Sequence, residues 1–227
     1  VVVSGGGEAL LNRELPVVLA RARELGLRVH LYTTGFHLDP DRCELLDEVA
    51  RLTRVRFSIH SPQTRTYDQI TGLPARLHGL ARVERHIEAL VKRRDQLGTD
   101  LEIGIGFVAQ AANVAQVGEM ADFAARLGID SLDIRKDEVD VTDALTHTQI
   151  ETLRAQVRRL RRQAMSGDLR PLEVDLGDEL VALANGEAPG RSRTSECLAK
   201  YFRPAVSPYG IVGALGKKIE IGRDEAE

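Results

Sequence analysis

Three consecutive glycines and a glutamate follow the first apolar run of the sequence. Val1-Val2-Val3-Ser4 is typical of a buried strand, and Gly5-Gly6-Gly7-Glu8 comes directly after it. Glycines at a strand end let a ligand approach the backbone, whose amides and carbonyls can then bind it, and the Glu8 carboxylate would suit an amine. The segment lacks the third glycine of a dinucleotide fingerprint and the Lys-Ser/Thr of a phosphate-binding loop. A tight strand-to-helix turn is the alternative interpretation.

Polar residues also end three later strand-like segments: Thr33-Thr34-Gly35, Ser58-Ile59-His60-Ser61 and Arg135. Ser58 could hold a sugar hydroxyl, and Arg135 could bind a carboxylate through two hydrogen bonds. An ion pair with Asp133 or Asp137 is the alternative for Arg135. We interpret His60 as a packed or solvent-facing side chain rather than as a base.

The fourth strand-like segment alternates apolar residues with two glycines. Gly104-Ile105-Gly106-Phe107-Val108 would let the flat surface of a ligand lie against the strand. Together, the strand ends would suit a zwitterionic amino-acid group joined to a ribose and a flat base. The sequence shows neither a nucleophile–histidine–carboxylate set nor the spaced histidines and aspartates of a metal site.

Apolar periodicity predicts the elements that would position these residues. Helices are predicted at about 15–25, 39–52, 77–91 and 114–127, and strands lie between them. Five alternations of strand and helix with short connections indicate βαβ units and a parallel sheet. The right-handed crossover rule leaves a doubly wound open sheet or a closed or partial (β/α) barrel. Both architectures bind ligands at the carboxyl ends of the strands.

The pattern changes after residue 140. One helical face carries Ile150, Leu153, Val157, Leu160 and Ala164, and the opposite face carries Arg154, Arg158, Arg159, Arg161 and Arg162. Because no aromatics interleave with the arginines, we interpret them as a solvated face rather than a nucleic-acid interface. A hairpin is predicted near 205–213. We therefore predict a barrel core over 1–140 and a helical extension with a hairpin over 141–227.

Composition limits the possible functions. The 227 residues include 31 basic and 34 acidic ones, a net charge of −3, so no global charge directs the protein to nucleic acid or membrane. No apolar run approaches the about 20 residues of a membrane span, and no signal peptide precedes the first strand, so we expect a cytoplasmic protein. The two cysteines, Cys43 and Cys197, exclude a disulfide framework and a cysteine-only metal site built from this chain alone.

The order of the motifs resembles that of the radical S-adenosylmethionine (SAM) enzymes. Gly6-Gly7-Glu8 is similar to the family's Gly-Gly-Glu, which receives the methionyl amino group, and Leu31–Gly35 is similar to the next strand end. Val55–His60 resembles the strand whose serine holds the ribose, and Tyr67–Gly72 resembles the stretch that follows. Ile105–Asn113 is similar to the strand that lines the adenine. The resemblance covers about residues 1–140 and implies that the cofactor-binding residues are Gly6, Gly7, Glu8, Thr34, Ser58, Ile105 and Arg135.

This resemblance implies a partial (β/α) barrel of parallel strands that uses SAM and a 4Fe–4S cluster. The family's CxxxCxxC loop, which holds the cluster through three thiolates, would precede the Gly-Gly-Glu strand, and this sequence lacks it. Since the sequence also opens inside a strand, we expect a fragment that is inactive alone. The full-length parent would cleave SAM reductively to a 5′-deoxyadenosyl radical and abstract hydrogen from an unknown small-molecule or peptide substrate. Its reductant would be a flavodoxin or ferredoxin.

The segment from Cys197 to Val212 resembles the start of a SPASM or twitch-type extension, which often binds an auxiliary iron–sulfur cluster. Cys197 is the candidate ligand, although Ala214 and Leu215 stand where that pattern has a further cysteine. Two alternative functions stay open. One is a non-catalytic (β/α) module that binds a cofactor or a peptide. The other is an unrelated (β/α)-barrel enzyme that uses Glu8, His60 and Asp137 for acid–base chemistry.

Overall fold

A six-stranded parallel sheet forms the centre of the protein. The computed structural model describes residues 1–4, 7–136, 145–169, 171–186, 204–206 and 212–214. The strands of the sheet are β1 (Val2–Val3), β2 (His30–Thr33), β3 (Arg54–Ser58), β4 (Glu102–Ala109), β5 (Ser131–Lys136) and β6 (Glu173–Leu176). They are hydrogen-bonded in sequence order, from β1 at one edge to β6 at the other. Because the order never reverses, as it would in a doubly wound sheet, the predicted partial (β/α) barrel is confirmed.

Seven helices connect or follow these strands within the described residues. They are α1 (Leu15–Glu24), α2 (Cys43–Val49), α3 (Thr64–Thr71), α4 (Gly79–Leu97), α5 (Val117–Arg126), α6 (His147–Ser166) and α7 (Asp178–Asn185). Right-handed crossovers between neighbouring strands place the connecting helices on a single face of the sheet. The middle of the predicted apolar stripe of α6 is buried, because Leu153, Val157 and Leu160 join the same core as the strands, whereas Ile150 is partly buried and Ala164 is exposed.

The two faces of the sheet differ in polarity because side chains alternate along each strand. The helix-covered face is largely apolar. Eight of its strand residues are at most 1% exposed: Leu31, Val55, Phe57, Ile103, Ile105, Phe107, Leu132 and Ile134. The registers pair Tyr32 with Arg56, Arg56 with Gly104, and Ser58 with Gly106 on the opposite face. We call this opposite face the inner face; it is made by Tyr32, Arg54, Arg56, Ser58, Gly104, Gly106, Asp133, Arg135 and Asp175.

Three of these elements, α3, β6 and α7, were not predicted from the sequence. Helix α3 forms where a loop was expected, before Gly72 ends it with a left-handed φ of 68°. Strand β6 pairs with β5 in parallel, with Asp133 opposite Asp175, in a region expected to lie outside the barrel. With only four residues, β6 is too short to show a clear alternation of its own.

The chain divides by packing into two units, Val1–Pro189 and Gly190–Glu227. In the second unit, strands β7 (Pro204–Val206) and β8 (Val212–Ala214) pair antiparallel near the position where a hairpin is predicted. The boundary predicted at residue 140 stays a prediction, but the sheet of the first unit continues beyond it through β6. None of the described helices combines the length and apolar character needed to cross a membrane.

Candidate functional site

The Glu8 carboxylate connects the carboxyl ends of β1 and β2. It accepts hydrogen bonds from the Thr33 hydroxyl at 2.6 Å, from the Thr34 hydroxyl at 2.6 Å and from the Thr34 amide at 2.8 Å. The Leu10 amide donates a fourth at 3.1 Å. Burial raises the pKa of Glu8, but these hydrogen bonds outweigh it and the net shift is downward. Glu8 is therefore an ionised anchor that fixes the turn after β1, rather than a carboxylate left open for an amine.

Ser58 lies at the carboxyl end of β3, two residues beyond Arg56 on the inner face. It pairs with Gly106 of β4, which in turn pairs with Asp133 of β5. Ser58 is partly exposed, and among the described residues its hydroxyl has no hydrogen-bond partner. A hydroxyl in this position can donate to and accept from a ligand at the sheet edge.

The Arg56 side chain covers the glycine surface that the sequence predicted to lie open for a flat ligand. A Cβ built at Gly106 would lie 3.3 Å from Arg56 Cδ and 3.6 Å from its Cγ. Arg56 thus crosses β4 over Gly106 and reaches an ion pair with Asp133 on β5. A side chain at this position would crowd the arginine, which would have to shift by a few tenths of an ångström.

Three arginines and three carboxylates form a network across the inner face. Arg54 contacts Glu102 at 2.9 Å, and Arg135 contacts Asp175 at 2.6 Å. Asp133 lies between them and is only 5% exposed. Burial lowers the pKa of Arg56, and repulsion by Arg54 and Arg135 adds to this. The hydrogen bond from Arg135 lowers the pKa of Asp175.

Arg135 lies near the carboxyl end of β5 and packs against Gly177, the first residue after β6. A Cβ at Gly177 would come within 2.8 Å of Arg135 Cδ, so the arginine lies flat on this glycine. Its Nη2 donates to Asp133 at 3.3 Å and to Asp175 at 2.6 Å. The predicted alternative, an ion pair with Asp133, is thus present. Among the described residues the Nε–H has no acceptor, and 46% of the side chain is exposed.

The predicted cofactor-binding residues do not all meet. Glu8 and Thr34 are in direct contact, Ser58 follows on the next strand, and Arg135 connects to this group through Asp133 and Arg56. Ile105 is fully buried on the helix-covered face. Any ligand contact at this point of β4 would therefore come from the backbone and the glycines rather than from the Ile105 side chain. Gly6, Asp137 and Cys197 lie outside the described residues.

The sequence analysis missed Arg56, named Asp133 only as an alternative ion-pair partner of Arg135, and missed Asp175. The first two stand two positions before Ser58 and Arg135, respectively, and a strand places residues i and i+2 on the same face. This spacing could have identified Arg56 and Asp133. Asp175 could not be identified, because its strand was not predicted.

The arrangement does not support the acid–base alternative. His60 Nδ1 accepts a hydrogen bond from the Val108 amide at 3.1 Å, so the neutral ring carries its proton on Nε2. The buried Asn113 amide bonds the carbonyls of His60 and Val108 and ties the ends of β3 and β4 together. His60 thus has a structural position, and Glu8 is saturated by its own donors.

Comparison with known proteins finds a family whose sequence model matches part of this chain. The sequence model of the Radical SAM superfamily matches residues 1–106. Over this range the chain has the sequence pattern of that superfamily, whose cofactors are SAM and a 4Fe–4S cluster.

Two curated relatives are similar over part of their length. The chain is 26% identical over 195 residues to dTDP-4-amino-4,6-dideoxy-D-glucose ammonia-lyase of Streptomyces venezuelae, covering 81% of this chain and 39% of the relative. It is 29% identical over 131 residues to PqqA peptide cyclase of Streptomyces rochei, covering 57% and 32%. The chain therefore spans about a third to two fifths of these relatives.

The fold is shared with SuiB of Streptococcus suis. Its structure bound to S-adenosylmethionine has a TM-score of 0.60 and 15% identity, over 86% of this chain and 44% of SuiB. Its structure bound to the precursor peptide SuiA has a TM-score of 0.59 and 14% identity, over 80% and 39%. At this identity the likeness concerns the fold alone.

The residues at the sheet edge fit SAM better than they fit the cluster. A Cβ built at Gly7 meets nothing within 4 Å, so the end of β1 is open to a ligand. Ser58 offers a hydroxyl, and Arg135 a partly exposed cation. For the cluster, Cys43 is the one cysteine among the described residues; it is exposed, and these residues include no group of three or more metal-ligating side chains. The described part of the chain does not fit a 4Fe–4S cluster.

Proposed function

We propose that this chain is the SAM-binding part of a radical SAM enzyme. The observation that carries the proposal is the edge formed by the carboxyl ends of the strands, where Gly7 follows β1, Ser58 ends β3 and Arg135 lies one residue before the end of β5. The superfamily model matches residues 1–106, which include Gly7 and Ser58. In the whole protein, a reduced 4Fe–4S cluster would supply one electron to SAM, so that the C5′–S bond breaks, methionine leaves and the 5′-deoxyadenosyl radical takes a hydrogen atom from the substrate.

Each residue of the edge has one part in this proposal. The backbone of Gly6 and Gly7 would bind the methionyl amino group, in the turn that Glu8 and Thr34 hold in place. Ser58 would hold a ribose hydroxyl, and the backbone of β4 near Ile105 would lie along the adenine. Arg135 would bind the carboxylate, for which a guanidinium is well suited. These assignments rest on the resemblance and on the positions of the side chains.

The lateral edge of the sheet, formed by β1, supports the presence of a cluster-binding segment outside this chain. Among the described residues, seven of the ten exposed large apolar side chains lie within residues 1–27: Val1, Val2, Leu11, Val17, Val18, Leu25 and Leu27. They lie on or next to β1 and α1, at an edge that pairs only with β2 in the described sheet. We infer that a further βα unit covers this edge in the whole protein and carries the cluster cysteines.

The proposed substrate is a small molecule or a peptide, as the resemblance implies. SuiB bound to its precursor peptide and the PqqA peptide cyclase support a peptide, whereas the ammonia-lyase supports a small molecule. The flavodoxin or ferredoxin reductant, the SPASM-type extension with Cys197 as a ligand and the cytoplasmic location stay predictions.

Equilibrium dialysis of this chain against radiolabelled SAM tests the cofactor site. We expect saturable binding, which Ser58→Ala weakens about fivefold because one neutral hydrogen bond contributes about 1 kcal/mol. Ser166→Ala is the matched control, since Ser166 is exposed at the end of α6 and binds only its neighbours Gln163 and Asp168. If the chain does not bind SAM, or both variants weaken it equally, the assigned site is wrong.

A further inference from the structure

Asp133 is the buried carboxylate on which the inner-face network converges. Its Oδ2 contacts Arg56, which crosses β4 from β3, and lies 3.6 Å from Arg54 Nη2. Its Oδ1 lies 3.3 Å from Nη2 of Arg135 on its own strand. Three guanidinium groups thus share one carboxylate whose side chain is 7% exposed.

The backbone of β4 makes this convergence possible. Gly106 leaves the space through which Arg56 passes, and Gly104 leaves space for the Ser131 hydroxyl, which a Cβ there would approach to 2.6 Å. Ser131 accepts from Arg54 at 3.1 Å and donates to Glu102 at 2.8 Å. Ser131 and Glu102 thus hold the Arg54 guanidinium beside Asp133.

A fixed carboxylate restricts the conformation of Arg135. The side chain bends over Gly177 with Nη2 shared between Asp133 and Asp175, while Nη1 donates to the Ile134 carbonyl at 3.2 Å. Asp175 is the exposed partner, with 62% of its side chain open to solvent, and Asp133 is the buried one. Fixing a long arginine side chain costs conformational entropy, and both carboxylates oppose this cost: Asp175 through the shorter contact of 2.6 Å, and Asp133 from a buried position at 3.3 Å.

We infer that Asp133 is a positioning residue, which holds Arg135 in the conformation that binds the carboxylate of the cofactor. The inference rests on the proposed function, because it takes the ligand of Arg135 to be SAM. Asp133 touches no part of the ligand and acts through Arg135. Its loss should therefore affect a ligand with a carboxylate and spare the same ligand without one.

Two ligands separate this role from general structural support. SAM and decarboxylated SAM share the adenosine, the sulfonium and the amino group, and differ in the carboxylate. We expect Asp133→Asn to raise the dissociation constant for SAM at least tenfold, because the amide keeps the size of the side chain but removes its charge. The dissociation constant for decarboxylated SAM should change by less than about twofold. A tenfold change in a dissociation constant corresponds to about 1.4 kcal/mol of binding free energy.

A second substitution and a matched control accompany this measurement. Arg135→Lys keeps the positive charge but loses the planar fork, so it should show the same selective loss even if Asp133→Asn folds poorly. Asp47→Asn breaks a comparable pair, in which Asp47 binds Arg93 through two hydrogen bonds of 2.6 and 2.7 Å between α2 and α4. It should leave the ratio of the two dissociation constants unchanged.

The outcomes distinguish the inference from the proposed function. If the unsubstituted chain binds neither ligand, the proposed function is wrong and the inference fails with it. If the chain binds SAM but Asp133→Asn or Arg135→Lys weakens both ligands equally, SAM binding stands and the positioning role is overturned. A selective loss in Asp47→Asn would also overturn it, because the effect would then not depend on the inner face.

Discussion

At the scale of single residues, the ends of β1 and β2 depend on one ionised carboxylate. Glu8 accepts hydrogen bonds from two hydroxyls and two amides, and they bring its pKa below the ordinary 4.5 despite burial. Because the pKa is lower in the folded state, the ionised Glu8 stabilises the protein fully at pH values above about 4.5, the pKa in the unfolded chain. This stabilisation is lost as the pH falls from there through the lower pKa of the folded state.

We therefore expect Glu8→Gln to destabilise the protein at pH 7 by about 1.5–3 kcal/mol, since hydrogen bonds to a charged group are lost and a donor faces donors. Urea titration measures this difference. Glu88→Gln, the same change at an exposed position of α4, should stay within about 0.5 kcal/mol of the unsubstituted protein. The gap between Glu8→Gln and the unsubstituted protein should narrow below about pH 4.5. Equal stability at pH 7 would show that Glu8 is not an anchor.

The residue scale also shows what sequence reasoning can reach. The sequence could predict that Glu8, Thr34, Ser58 and Arg135 lie at or near strand ends, because the carboxyl ends of parallel strands share one edge. The role of Glu8 as an internal anchor was not foreseeable, since it depends on the Thr33 and Thr34 hydroxyls 25 and 26 residues away. The sequence also did not predict that Arg56 lies over Gly106, because this conformation depends on Asp133, which comes from another strand.

At the scale of elements, the turn after β2 must fit closely against β3. Gly35 has a left-handed φ of 77°, and a Cβ there would lie 2.6 Å from Phe57 Cδ1 and 3.3 Å from Val83 Cγ1. The glycine therefore meets two requirements, one of backbone conformation and one of space. Gly26, after α1, has a similar φ of 66° but nothing within 4 Å of an added Cβ.

This pair of glycines separates the two requirements. Gly26→Ala should lower the free energy of unfolding by roughly 1–2 kcal/mol, the penalty of a left-handed backbone. Gly35→Ala should lower it by about 1–3 kcal/mol more, because the methyl group overlaps the Phe57 ring. Chemical denaturation of both variants gives the comparison. Equal losses would mean that Phe57 moves aside freely.

The same turn is tied to α4 by a buried histidine. His86 is 1% exposed, and its Nδ1 lies 2.8 Å from the Gly35 carbonyl, to which it donates. Burial lowers the pKa of His86 below the ordinary 6.5; the hydrogen bond to Gly35 opposes this, and Arg82 and Arg85 add to it. The folded state thus keeps the ring neutral at a pH at which the unfolded chain takes up a proton.

Stability should therefore fall as the pH drops below 6.5, until the lower folded-state pKa is reached, with a slope of at most about 1.4 kcal/mol per pH unit. Unfolding free energies at pH 7.5 and 5.5 measure the effect. His86→Asn should reduce this pH dependence, while His147→Asn, at an exposed position that begins α6, should retain it. An unchanged pH dependence in His86→Asn would contradict the assignment.

Element prediction succeeded where periodicity was long and failed where it was short. The stripes of α4 and α6 were identified because each repeats over several turns. Helix α3 and strand β6 span eight and four residues, too few to reveal a period against the surrounding polar sequence. Strand β6 was missed because it is added to the sheet by pairing with β5 rather than by local preference.

At the scale of the whole molecule, the sheet has one polar and one apolar face and an exposed apolar edge. The helices bury the apolar face. The inner face carries charged side chains, and Ser58 and Arg135 lie near the carboxyl ends of their strands. The apolar side chains on β1 and α1, such as Val2 and Val18, are open to solvent. These three features together support the proposal that a further unit completes the edge and brings a cluster beside the SAM site.

The formation of 5′-deoxyadenosine tests this account most directly. The full-length protein that contains this chain would be reconstituted anaerobically with iron and sulfide, reduced with dithionite and supplied with SAM. We predict that 5′-deoxyadenosine accumulates, that it requires the reductant, and that Ser58→Ala lowers its yield while Ser166→Ala does not. A protein that binds no cluster, or that holds cluster and SAM without releasing 5′-deoxyadenosine, would contradict the proposed function.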